Sequence, residues 1–114
     1  MNIDFNPSED SDKSERYRQF LKHYAALIEG ERDEISVMAN TVAALKEAFG
    51  FFWVGFYLVK SEQELTLGPF QGSIACYRIR KGRGVCGTAW EKACPLIVPD
   101  VNLFPGHIAC SSES

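Results

Sequence analysis

The run FFWVGFYLV, from Phe51 to Val59, constrains the fold more than any other segment. Apolar residues fill both of its alternating sets, so a strand built from it needs cover on both faces and belongs in the interior of a sheet. Glu64 to Leu67 follows across the polar stretch Lys60 to Gln63, with Leu65 and Leu67 on one side. Together the two segments read as an antiparallel hairpin. Gly68, Pro69 and Gly72 then interrupt the alternation, and GPFQG, with Pro69 and Gln71, reads as a tight connection between strands. Ile74 to Arg80 predicts another strand. Lys81 to Gly84 predicts a turn, VCGTAWEKA a short helix, and Leu96 to Val98 a strand closed by Pro99 and Asp100. The remainder reads as a loop with an incipient strand over His107 to Cys110.

Two helices precede this strand-rich part. Between Asp12 and Ile28, the residues Tyr17, Phe20, Leu21, Tyr24, Leu27 and Ile28 recur at helical steps, with Gly30 as a natural stop. Asp33 is an N-cap for a second helix whose stripe is Ile35, Met38, Val42, Leu45 and Phe49, ending at Gly50. Helices first and strands after, with one short helix among them, give an α+β class. The 114 residues suit a single domain over 12–114, preceded by a polar tail over 1–11.

A formal charge of -3 argues against a nucleic-acid surface or binding to anionic membranes. The acidic start lacks the pattern of a secretory signal, and no apolar run reaches the ~18 residues of a membrane span, which points to a cytoplasmic location. In that setting the four cysteines are reactive, metal-binding or buried rather than a permanent disulfide framework.

Cys76, Cys86, Cys94 and Cys110 contain no CxxC pair, and His23 and His107 are the only imidazoles, so the zinc pattern is poor. Cys86 lies in RGVCGTA, where a glycine turn enters a helix. First-turn amides, the helix dipole and Arg83 would lower its thiol pKa. Cys110 lies in FPGHIAC with His107 three positions earlier, and a strand there would send the two side chains to opposite faces. Trp53 and Tyr57 are four apart and share a face of the apolar strand, either as core or as the aromatic wall of a small-molecule pocket. No GxxxxGK[ST] loop is present, so a nucleotide hydrolase is not supported.

WVGFYL, LGPFQGSIAC, GRGVCGTAW and FPGHIAC, taken together, resemble the free methionine-R-sulfoxide reductases built on a GAF domain. The resemblance implies a GAF-like antiparallel sheet with helices packed on one face and a loop-covered ligand pocket on the other. It implies reduction of free methionine-R-sulfoxide to methionine, with reducing equivalents from a thioredoxin-like dithiol and no metal or organic cofactor. By the same resemblance Cys110 is the nucleophile, Cys86 and Cys76 are resolving and recycling thiols, and Trp53 and Tyr57 receive the methyl end of the substrate. Where local context favours Cys86 as the activated thiol, the family pattern favours Cys110.

Cys94 has no counterpart in that pattern and is expected to be a buried structural residue. The family continues past its third cysteine with further strands, a closing helix and the acidic residues that hold the substrate, so the C-terminal elements are expected to be missing here. Two other readings stay open from sequence: a GAF-type small-ligand binding module, and an inactive truncated remnant. The oligomeric state, monomer or homodimer, is open as well.

Overall fold

A computed structural model of the chain describes residues 12–106. They form α1 (Lys13–Ile28), α2 (Glu34–Phe49), β1 (Val54–Val59), β2 (Glu64–Gln71), β3 (Arg78–Arg80), α3 (Gly84–Lys92) and a 3-10 turn at Val101–Leu103. The strands make one antiparallel sheet in the order β1-β2-β3, and the class is α+β as expected. Two compact units can be distinguished within the described residues, 12–55 with 69–72, and 56–68 with 73–106.

In the first unit both helices begin where short-range chemistry places them. The Asp12 carboxylate accepts from the Glu15 amide at 2.8 Å, and Asp33 accepts from the Ser36 amide at 2.8 Å, each meeting an amide that has no partner inside its helix. Gly50 ends α2 in the left-handed region, φ 65°, and its amide donates to the Lys46 carbonyl at 2.9 Å. Lys46 also donates through Nζ to the carbonyls of Phe51 and Phe52.

The buried face of α2 differs from the predicted stripe. Val42 is buried as expected, but Ile35 is 57% exposed, and Ala44 and Ala48 form the core instead. Phe20, Tyr24, Leu27 and Phe49 pack against those alanines. The Phe49 ring meets Tyr17 edge-on at 5.3 Å and Phe20 at 5.4 Å. Wide rings need small residues opposite them, and this shape requirement overrides a pattern read from hydrophobicity alone. A polar tie crosses the same helix pair. Thr41 gives its hydroxyl proton to the Val37 carbonyl at 2.6 Å, so Tyr24 must be the donor in its 2.7 Å contact with Thr41 Oγ1.

Asp33 provides a pH test of the cap. Its pKa is lowered, first by the Ser36 amide bond and then by the Ser36 side chain. A carboxylate with a folded pKa below its unfolded value adds stability above the unfolded value, and this is lost as pH falls through the folded one. Stability should therefore decline on acidification below the ordinary carboxylate pKa, 3.8. Asp33→Asn should flatten that part of the profile in chemical denaturation series run across the acid range.

In the second unit β2 and β3 pair with Glu64 opposite Arg80, Leu65 opposite Ile79 and Thr66 opposite Arg78. Leu65 is 5% exposed, while its neighbours Glu64 and Thr66 face outward only in part. The turn after β3 closes on α3, where the Gly82 amide donates to the Gly87 carbonyl at 2.9 Å. Gly87 is buried, and a Cβ there would overlap the Arg80 carbonyl oxygen. Lys81 sits 4.9 Å from the centre of the Trp90 ring, a cation over an aromatic face.

Five strand expectations change. β1 begins at Val54, not Phe51, because Lys46 holds the carbonyls of 51 and 52 in the turn from α2, and Phe51 and Phe52 are exposed. Among the described residues β1 is also an outer strand, and β2 is the central one. β2 runs on through Gly68 and Pro69 to Gln71, since Gly68 leaves room beside the Phe56 carbonyl oxygen and Leu58. The strand predicted over Ile74 to Arg80 shortens to Arg78–Arg80, with Ile74 80% exposed, and Leu96 to Val98 forms no strand, Ile97 being 95% exposed. β-branched composition cannot make a ladder without a neighbouring strand to supply the hydrogen bonds.

Candidate functional site

Trp53 precedes β1, and its indole stacks on Phe70 with ring centres 5.5 Å apart and planes within 16°. Two glycines make the space. A Cβ on Gly55 would strike both the Trp53 ring and Phe70, and Gly72, at φ 132°, backs onto the Phe52 carbonyl and Trp53. An indole held in such a slot presents a fixed apolar face of the kind that lines small-molecule sites. Phe70 and Gly55 were not singled out from sequence, and Gly72 was read only as a break in the strand pattern. The signal was in the glycines flanking the aromatics, which a simple alternation pattern discards.

Tyr57 lies within β1 and is half-buried. Its phenol donates to the main-chain carbonyl of Cys76 at 2.8 Å. Burial raises the phenol pKa, and negative charge on Cys86 raises it further, which keeps the hydroxyl protonated as a donor. Tyr57, Cys76 and Cys86 are thus brought together within one unit, although nothing in their spacing announced it.

The cysteines differ in state. Cys76 is disulfide-bonded, whereas Cys86 and Cys94 are free thiols. Cys86 falls in the first turn of α3, as the sequence suggests, but its thiol pKa is raised by burial of the sulfur even though the residue as a whole is exposed. Desolvation outweighs the helix terminus and Arg83, so the expected activation is reversed. Cys94 is exposed rather than buried. Leaving α3 through the left-handed Ala93, φ 52°, carries it out to the surface. Cys110 and His107 lie outside the described residues.

A concavity of about 330 Å³ is lined by Leu96, Val98, Leu103 and Phe104, among others, and contains none of the predicted site residues. No group of three or more His, Cys, Asp or Glu side chains is placed to hold a metal ion among the described residues. Nor is any helix among them long and apolar enough to cross a membrane.

No protein-family model matches the chain. Individual proteins do. The chain is 64% identical over 102 residues to GAF domain-containing protein A of Dictyostelium discoideum, covering 90% of this chain and 65% of that one. It is 46% identical over 103 residues to free methionine-R-sulfoxide reductase of Escherichia coli (strain K12), covering 90% of this chain and 62% of the relative. Among solved structures, free methionine-R-sulfoxide reductase from Neisseria meningitidis in complex with its substrate superposes with a TM-score of 0.86 at 52% identity. That match covers 94% of this chain and 65% of the other. The chain therefore spans just under two thirds of the length of the relatives it matches. Identity at this level, together with a shared backbone course, reflects common descent and not convergence on a fold. The chain has the GAF fold and is similar, over nine tenths of its own length, to GAF-domain proteins that include free methionine-R-sulfoxide reductases.

Proposed function

We propose that the protein reduces free methionine-R-sulfoxide to methionine by thiol chemistry, with Cys110 as nucleophile and Cys76 as the resolving thiol. The observation that carries this reading is the disulfide at Cys76 beside two cysteines, Cys86 and Cys94, that stay free. A resolving cysteine is one that passes through a disulfide within the cycle. In the proposed sequence the Cys110 thiolate attacks the sulfoxide sulfur, the oxygen takes up a proton from solvent and passes to the enzyme sulfur, and methionine leaves behind a sulfenic acid. The Cys76 thiol condenses with that sulfenic acid, forming the disulfide and releasing water. A thioredoxin-type dithiol then restores both thiols by exchange and is itself oxidised to a disulfide. Trp53, fixed on Phe70, supplies aromatic surface for the methyl end of the substrate. The names of the relatives support the choice of substrate.

The test mixes fully reduced protein with one equivalent of free methionine-R-sulfoxide, counts thiols by intact mass and quantifies methionine in the same tube. Loss of one thiol pair for each methionine formed is the expected result, with peptide mapping placing the pair at Cys76 and Cys110. Persistence of all four thiols with no methionine would overturn the reading.

A further inference from the structure

Tyr57 has so far served as an aromatic wall, yet its polar end is engaged elsewhere. The hydroxyl reaches 2.8 Å across to the carbonyl of Cys76, nineteen positions along the chain. Residues 72–77, which carry that carbonyl, form neither helix nor strand. The Leu67 amide ties the segment to β2 at the Tyr77 carbonyl, 3.0 Å away, and the Tyr57 bond adds a tie one residue earlier, where ordering one residue costs about 1–2 kcal/mol of conformational entropy. A hydrogen bond from a rigid strand removes part of that freedom before the sulfur has to find its partner.

We infer that Tyr57 is a positioning residue for Cys76: its phenol tethers the main chain at that cysteine and so favours the disulfide over the dithiol. The inference rests on the reading of Cys76 as the resolving thiol and extends it by naming what holds that thiol in place. Chemically the tether acts on an exchange in which two glutathione thiols are formed as one protein disulfide closes at the expense of glutathione disulfide. The bond is made at 2.8 Å with Cys76 in its disulfide, where the closed bridge already holds the main chain, so less ordering is left to form it there than in the dithiol. Its loss therefore shifts the exchange toward the dithiol.

The experiment equilibrates the protein in glutathione redox buffers, quenches by alkylation, and reads the fraction of Cys76 in disulfide by peptide mapping. Tyr57→Phe keeps the ring and removes the donor. It should lower the equilibrium constant for the Cys76 disulfide about three- to tenfold, the range expected for one hydrogen bond. Replacing Tyr57 by 3-fluorotyrosine, a stronger donor of nearly the same shape, should leave the constant at or above the wild-type value. An unchanged constant in Tyr57→Phe would overturn the inference. So would an equal fall in both variants, because that would trace the effect to ring packing and not to the donated proton. No sulfoxide enters this measurement, so it separates the two ideas. A wild-type protein that makes no methionine but shows the Tyr57 effect defeats the proposed function alone, and the reverse pattern defeats only the tether.

Discussion

Cys110→Ser is expected to abolish methionine formation in a single turnover, a loss of about 10³-fold or more, since the hydroxyl is a far weaker nucleophile than a thiolate at neutral pH. The competing assignment was Cys86, favoured by its place in the first turn of α3. The structure weakens that alternative, because burial of the Cys86 sulfur raises its pKa and so depletes the thiolate. Cys86→Ser should accordingly keep most of the single-turnover release. Cys76→Ser should also release one equivalent of methionine but then stall, with a sulfenic acid that a dimedone-type reagent captures. Rapid-quench quantification of methionine in the three variants distinguishes the roles. Wild-type release from Cys110→Ser would remove Cys110 from the mechanism.

Gly87→Ala should destabilise the protein although alanine is the better helix former. The added methyl would overlap the Arg80 carbonyl oxygen, a main-chain atom of β3 that cannot rotate away. Intrinsic propensity favours the substitution by about 1 kcal/mol. Forcing a buried contact apart typically costs about 1–3 kcal/mol, and a main-chain neighbour puts this case at the upper end. A net loss of about 1–2 kcal/mol lowers the midpoint of a domain this size by roughly 5–15 °C. Thermal unfolding followed by far-UV circular dichroism reads it directly. A higher midpoint would mean that α3 does not rest on β3 as described.

These two cases also mark what the sequence could and could not convey. The helix limits were legible because their causes are local: Asp12 and Asp33 cap amides three residues on, and Gly50 supplies the left-handed stop. Burial was less legible. Ile35 satisfied the helical stripe yet faces solvent, whereas Ala44 and Ala48 are buried because rings from α1 occupy the space. Leu96 to Val98 had the composition of a strand without the neighbour that would make it one. At the site, the identities of Cys76, Cys86, Trp53 and Tyr57 could be singled out, but not their states. A disulfide at Cys76, a raised thiol pKa at Cys86 and a phenol bonded to a distant carbonyl all depend on residues far apart in sequence. The slot formed by Gly55 and Gly72 around Trp53 was missed for the same reason.

The placement of the two tryptophans has an optical consequence. Trp53 belongs to the first compact unit and Trp90 to the second, and these are the only indoles in the chain. Their surroundings differ in kind, one stacked on Phe70 and the other beneath the Lys81 ammonium. A positive charge near an indole shifts its emission, so the two signals need not coincide in wavelength. Trp53→Phe and Trp90→Phe would each leave a single fluorophore reporting on one unit, making it visible whether the two melt together or in succession.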